Sequence, residues 1–189
     1  MGPQRESRRP GAGPQEIAVS FLKKILHGID QVSTWSGKVV SWAILVMVLA
    51  IAYDVILRYA FRAPTVWQYD ISYMLGGSVI VLGAGYVHLT RRHVRVDIFY
   101  NRFSPRSKLI LEIVFTLIFF FPFLSGVLLE SIHHAIHAYQ VNEFSEVGFW
   151  RPMMWPFRSV VSVGLAILLL QGVANFIRDF HLLIKGKPL

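Results

Sequence analysis

The sequence contains no cysteine, few acidic residues and no ionisable residue at the middle of its long apolar stretches. The lack of cysteine excludes disulfides, thiol catalysis and thiolate metal sites. The midpoints of the four apolar stretches are Val46, Ile80, Phe119 and Ile167, and no charged residue or histidine lies within about one helical turn of them. A protein that carries a substrate or proton alone normally has polar groups at this depth. The sequence therefore argues against a channel or carrier that works by itself.

Apolar residues make up 54% of the 189 residues, and the mean hydropathy is positive. A membrane-spanning helix needs about 20 predominantly apolar residues. The chain has four stretches of about this length, separated by charged or proline-bearing connections: Trp35–Ile56, Ile71–Leu89, Leu109–Leu129 and Phe157–Ile177. We predict an all-α membrane protein with four transmembrane helices and no soluble domain.

The predicted domain organisation has four parts. Residues 1–15, rich in Gly, Pro, Gln and Arg, are expected to be a disordered cytoplasmic tail. Residues 16–34 have helical spacing of apolar residues opposite a lysine-bearing face, which predicts an amphipathic interfacial helix before the chain turns into the bilayer. Residues 35–180 are the four-helix transmembrane domain, and residues 181–189 are a second cytoplasmic tail.

Positive charge is unevenly distributed among the connections. Fifteen Lys and Arg residues lie before or at the start of the first helix, in the second connection and after the last helix, against four in the other two connections. The positive-inside rule then places both termini and the second connection in the cytoplasm. The net charge of +8 is explained by this topology and by anionic lipid head groups, without nucleic acid as a partner.

The second and third apolar stretches contain residues that affect helix packing. Gly76 and Gly83 recur one heptad apart in a helix rich in small residues, so we expect this helix to pack at the centre of the assembly. Pro122 is expected to bend the third helix. Beyond Leu129 the segment Glu130–Tyr139 is polar but helix-compatible. It either projects beyond the bilayer or breaks into a helix on the outer surface.

The histidines offer the clearest alternative function. His133 and His137 share one helix face beside His134, and Glu130 is within reach, so a metal-dependent membrane enzyme is one hypothesis. Two histidines are an incomplete site, however, because a stable metal centre needs further ligands and an ordered second shell. An interfacial polar face is the favoured interpretation. His88 and His93 are isolated.

The ionisable residues of the apolar region cluster at its two edges. Asp54 and Arg58 have the spacing of an ion pair on one helix face. Asp70 and Asp97 are candidates for polar contact with a larger membrane protein or for structuring a loop. Asp97 lies in the run Thr90–Tyr100, where three arginines and a histidine alternate with apolar residues at the point where a helix leaves the bilayer. This junction indicates a membrane-surface loop that contacts a partner.

These motifs resemble the small membrane subunit of the tripartite ATP-independent periplasmic (TRAP) transporters, over about residues 30–180. The resemblance rests on an aromatic-plus-acid pair at the start of the second helix, a Gly-rich helix and a His-Val-Arg-Val-Asp signature. The pair is Trp67 with Asp70, where the family usually has glutamate, and the helix spans Gly76 to Gly85. The signature is His93-Val94-Arg95-Val96-Asp97, which includes His93, Arg95 and Asp97 as candidate interface or loop residues.

The resemblance implies a bacterial inner-membrane subunit, not an enzyme, with no cofactor. Its partners would be a large multi-helix membrane subunit and a periplasmic substrate-binding protein, in cation-coupled uptake of a small organic acid. Trp67, Asp70, Gly76 and Gly83 would serve the subunit interface or structure its loops. The remaining alternatives are the metal enzyme, a self-associating channel, and an accessory subunit of another membrane complex.

Overall fold

The chain is helical over most of its length. The computed structural model describes residues 14–90 and 104–187, with the backbone alone for residues 14–18 and 105. Within these ranges the α-helices are α1 (Pro14–Ala60), α2 (Gln68–Leu89), α3 (Pro105–Phe115), α4 (Phe121–Gln140) and α5 (Trp155–Lys185). A π-helical turn, Thr116–Phe120, joins α3 to α4 into one long helix.

Four of these helices are long and apolar enough to cross a membrane: Val19–Ala60 within α1, Gln68–Leu89, Arg106–Gln140 across α3 and α4, and Trp155–Lys185. In the described part of the chain the β-structure is a single isolated bridge between Phe144 and Met153. The predicted all-α membrane protein with four transmembrane helices is therefore confirmed. The last helix runs to Lys185, beyond the predicted domain end at residue 180.

Helix α1 combines two predicted segments. Its 47 residues correspond to a rod about 70 Å long, against about 40–45 Å for a bilayer with its head groups. The expected turn between residues 16–34 and the first span is not seen, because helix α1 continues through it. Ser33 and Ser36 lie at this point and donate hydrogen bonds of 2.7 Å to Gln171 of α5 and to the Leu82 carbonyl of α2. The membrane-surface position of residues 16–34 stays a prediction, and most of the predicted N-terminal tail lies outside the described residues.

The third long helix is irregular next to Pro122. The Phe121 amide donates to the Thr116 carbonyl, five residues earlier, which is the bond of a π-helix. Proline has no N–H to offer the preceding turn, and π turns are a common way to absorb such a disruption. The helix thus contains a widened turn next to Pro122, whereas the predicted bend stays a prediction. Beyond it α4 continues unbroken to Gln140, so Glu130–Tyr139 extends the helix and does not form a separate one.

Helix α5 is the centre of the chain. It packs against α1, α2, α3 and α4, whereas α2 packs against α1 and α5. Glycines permit the close contacts: a Cβ on Gly164 would lie 2.7 Å from Val81 Cγ1 and 3.0 Å from the Val81 carbonyl carbon of α2. A Cβ on Gly172 would lie 2.3 Å from the ring of Phe120. Within this chain the central helix is therefore α5, the fourth membrane-spanning helix, and the expected position of α2 at the centre of the assembly stays a prediction.

Candidate interface sites

Asp70 joins α2 to the loop between α4 and α5 at one end of the molecule. It lies in the first turn of α2, and its side chain is fully buried. Its Oδ1 accepts a 2.7 Å hydrogen bond from Ser145 Oγ in the loop between α4 and α5, while Oδ2 has no partner among the described residues. A Cβ on Gly148 would lie 2.0 Å from Oδ2, so this loop can pass over Asp70 only with glycine there. Asp70 thus has the geometry of a loop-structuring residue.

The first connection is held at the same end by Asp54, which is 3% exposed. Asp54 accepts hydrogen bonds from Arg58 Nη2 at 2.7 Å and from the Thr65 amide at 2.8 Å. The predicted Asp54–Arg58 ion pair is therefore present, and the role of Thr65 was not expected from sequence. Trp67 immediately precedes α2, and its ring stacks on Tyr53 of α1 with centroids 6.1 Å apart. Both contacts hold the connection between α1 and α2 against the end of α1.

The loop between α4 and α5 is an ordered hairpin. The Ser145 amide donates to the Pro152 carbonyl and the Met154 amide to the Glu143 carbonyl, each at 2.8 Å. Glu143 also forms an ion pair with Arg158 at the start of α5. At the tip, Phe149 is 94% exposed. Phe149 borders a groove of about 570 Å³ between this loop and the first connection, lined in addition by Arg58, Pro64, Thr65, Val66, Gln68, Tyr69, Val147 and Gly148.

The two glycines singled out in α2 have different surroundings. A Cβ on Gly83 would lie 3.8 Å from Val40 of α1, an ordinary contact within the chain. A Cβ on Gly76 would meet nothing within 4 Å. Gly76 lies between Tyr73 and Ile80 on an exposed face of α2. The close contacts of α2 instead involve Gly77, beside the ring of Phe157, and Gly85, beside Ile167.

A buried polar network at the opposite end joins α1, α2 and α5, and was not predicted. Gln171 is fully buried, accepts a hydrogen bond from Ser33, and donates to Asp30 at 3.1 Å and to Asn175 at 3.3 Å. Asn175 donates in turn to the His88 carbonyl at the end of α2. The sequence signal was the repeat of Gln171, Asn175 and Arg178 on one helix face. This signal does not identify Asp30 as the partner, because Asp30 lies within residues 16–34, where the sequence predicts a separate interfacial helix.

The histidine cluster is dispersed on an exposed helix face. His133, His134 and His137 are all exposed, and His134 Nε2 lies 3.3 Å from Glu130 Oε1. Among the residues that the structure describes, no three His, Asp or Glu side chains are grouped to hold a metal ion. His88 stacks on Phe120 with ring centroids 5.2 Å apart. The geometry adds nothing in favour of the metal-enzyme hypothesis.

The signature at the second connection has no described geometry. His93, Arg95 and Asp97 lie outside the described residues, as does most of the run Thr90–Tyr100. Their assignment to an interface or a structured loop stays a prediction. On either side of this gap, α2 ends at Leu89 and α3 begins at Pro105, with Ser104 capping the amide of Ser107.

Comparison with known proteins identifies the family. Residues 47–182, well over half of the chain, match the family model for tripartite ATP-independent periplasmic transporters, DctQ component. No curated protein matches the chain. The match spans the last part of α1 to most of α5, including Trp67, Asp70 and the His-Val-Arg-Val-Asp signature. The DctQ component is part of a transporter and not an enzyme, and it functions with a large membrane subunit and a periplasmic binding protein. With its four membrane-spanning helices, the chain belongs to this family of small permease subunits of the bacterial inner membrane.

Proposed function

We propose that the chain is a fixed scaffold for the large transport subunit and helps to receive the periplasmic binding protein during cation-coupled uptake of a small organic acid. The scaffold role is supported by the absence of a polar path for a substrate through the described part of the chain. Buried polar side chains such as Gln171 and Asn175 are used in contacts between the chain's own helices. At mid-depth the surface is apolar, with Val46, Ile80 and Phe119 more than half exposed. The described part of the chain therefore offers a substrate no continuous polar path.

The exposed face of α2 is the proposed contact with the large subunit. Gly76 leaves space for a neighbouring helix backbone between the exposed side chains of Tyr73 and Ile80. Small residues favour such approach in membranes because packing and not the hydrophobic effect drives helix association there. Tyr73 also borders a largely apolar groove of about 440 Å³ between α4 and α5, whose lining includes Val127, Phe157, Val161 and Leu165. His93, Arg95 and Asp97 are proposed to extend this contact.

The two loops beside Phe149 are proposed to receive the binding protein. Exposed aromatic residues beside arginine are typical of the residues on which protein interfaces depend most. Here Phe149 of the hairpin and Arg58 in the last turn of α1 border one groove. The hairpin and the first connection are held in place by Asp70, Asp54 and Trp67. A rigid surface of this kind limits the entropy lost on binding.

The proposed orientation places these loops in the periplasm and both termini in the cytoplasm. Its support is the excess of Lys and Arg in the terminal regions and in the second connection. The opposite end of the bundle, with Asp30 and Arg178, then faces the cytoplasmic leaflet. Anionic lipid head groups in that leaflet would balance the excess positive charge.

The test is purification of the tagged chain from its native membranes in a gentle detergent, with mass spectrometry of what co-purifies. We expect a large multi-helix membrane protein in near-equal amount. Gly76→Leu should reduce its recovery. Gly28→Leu is the control, because a Cβ at Gly28 also meets nothing within 4 Å but the residue belongs to α1 and not to this face of α2. Recovery of the chain alone, or transport by the chain reconstituted alone, would contradict the proposal.

A further inference from the structure

A groove lies between the first turn of the third long helix and the last turn of the fourth. Its volume is about 390 Å³, within the range of about 300–1,000 Å³ typical of small-molecule sites. One wall is the first turn of α3, with Arg106 and Leu109. The other is the last turn of α5 and the residue after it: Leu182, Leu183, Ile184, Lys185 and Gly186. Gly186 has φ 65° and ends the helix, which stops α5 at the mouth of the groove.

The lining of this groove is amphipathic. Its apolar part is formed by leucine and isoleucine side chains, and one cation stands on each wall, Arg106 and Lys185. Among the residues that the structure describes, no acidic side chain lines it. Both cations are exposed at the surface. The groove therefore offers positive charge directly beside an apolar surface, which matches a molecule with a negative head and a hydrocarbon tail.

The position of the groove indicates which class of molecule binds there. Arg106 and Lys185 are the end residues of two membrane-spanning helices, so both lie where hydrocarbon gives way to head groups. Basic pockets between transmembrane helices bind the head groups of anionic lipids. We infer that this groove is a binding site for one anionic phospholipid. Its phosphate lies between Arg106 and Lys185, and the start of an acyl chain lies on Leu109 and Leu183.

The site does not depend on the proposed role in transport. It needs only the membrane-spanning helices and the two facing walls. It also differs from a general attraction between basic residues and an anionic surface, because it requires two particular cations and an apolar wall between them. Lys23 and Lys24 on α1 supply the comparison, since both are exposed and belong to the same basic region of the chain but do not line the groove.

The test is native mass spectrometry of the delipidated full-length chain in detergent, titrated with dioleoyl phosphatidylglycerol or dioleoyl phosphatidylcholine. We expect one tightly bound phosphatidylglycerol and weaker binding of phosphatidylcholine. Arg106→Gln with Lys185→Gln should weaken phosphatidylglycerol binding by roughly tenfold or more, from about 1 kcal/mol per cation. Lys23→Gln with Lys24→Gln should leave this binding unchanged.

Two further arms complete the test. Leu183→Gln keeps both cations but makes the apolar wall polar, and it should weaken lipid binding while the chain keeps its helical content by circular dichroism. Glycerol 1-phosphate, which has the head-group phosphate without acyl chains, should not compete. Three results would each overturn the inference. The first is an equal loss of phosphatidylglycerol binding in the Arg106/Lys185 and Lys23/Lys24 double variants. The others are equal affinity for both lipids and full competition by glycerol 1-phosphate.

Discussion

Arg178 near the end of α5 binds the carboxylate of Asp30 in α1 with two nitrogens, Nη2 to Oδ2 at 2.6 Å and Nη1 to Oδ1 at 3.1 Å. The two residues are 148 positions apart in sequence. Asp30 also accepts from Gln171, so the pair is part of the network that joins α1 to α5. Two parallel charge-assisted hydrogen bonds fix the relative position of the two helices better than a single contact does.

Asp30→Asn should therefore destabilise the chain. The substitution keeps the shape of the side chain but removes its charge, and hydrogen bonds to charged groups contribute on the order of 1–3 kcal/mol. We expect the lower part of this range because both side chains are about one quarter exposed. Thermal unfolding of the detergent-solubilised chain measures the effect. Glu146→Gln, in the exposed tip of the hairpin, is the control, and an equal shift in both variants would contradict the prediction.

Gly148→Ala should loosen the hairpin between α4 and α5. The added methyl group would lie 2.0 Å from Asp70 Oδ2, and overpacking of this kind costs about 1–3 kcal/mol. Proteolysis between residues 141 and 154 should become faster. In an Asp70→Ala background the cost of the added methyl should fall, because its obstacle is gone. Gly126→Ala, where a Cβ meets nothing within 4 Å, is the matched control. Additive effects of the two substitutions would argue against the contact.

Gly164→Ala should push α5 away from α2. Its Cβ would meet the Val81 side chain and the backbone of Val81 and Leu82, which cannot move without shifting α2. A loss of about 1–3 kcal/mol in unfolding free energy is expected. Gly76→Ala in α2 should be neutral, or stabilising by up to about 1 kcal/mol through helix propensity. Thermal unfolding of both variants, without the large subunit, provides the measurement. Equal destabilisation would contradict the assigned packing.

Asp97→Ala should reduce the yield of the transporter complex and uptake, without preventing membrane insertion. Asp97 is the only acid in a junction that also contains Arg91, Arg92 and Arg95, so its removal leaves those cations unbalanced. Co-purification of the large subunit, uptake by whole cells and the amount of chain in the membrane fraction are the three readouts. Asp97→Asn, which keeps the size of the side chain, separates charge from packing. Wild-type yield and uptake in the alanine variant would refute the prediction.

Reporter fusions test the proposed orientation. Green fluorescent protein should fluoresce at either terminus, and alkaline phosphatase should be inactive there, because both ends are expected in the cytoplasm. A phosphatase fusion within the hairpin after Asn142 should be active. An active phosphatase fusion at the C-terminus would contradict the proposed orientation.

The four spans were predictable from sequence because length and hydropathy are local properties. The Asp54–Arg58 pair was predictable for the same reason, since its members are four positions apart on one helix. The family was recognisable from short motifs, including one outside the described residues. These features need no knowledge of how distant helices meet.

The contacts between helices were not predictable in this way. Asp30 is a charged residue of the kind expected on the exposed face of an amphipathic helix. Its partners become evident only when α5 lies beside α1. Similarly, glycines in α2 and α5 look equivalent in sequence. In the structure Gly164 and Gly172 mark close contacts, whereas Gly76 faces open space. The burial of Asp70 also depends on a loop 75 positions away.

The central position of α5 has a consequence for biosynthesis. Among the described helices α5 is the last to leave the ribosome, yet it supplies the contacts that connect α1 and α2 with α4. Until it is inserted, Asp30 and Ser33 lack their partners in α5, and α4 is without its main packing neighbour. A chain truncated before Trp155 should therefore insert but remain a substrate for membrane proteases, so that insertion of α5 acts as the checkpoint for assembly of the bundle.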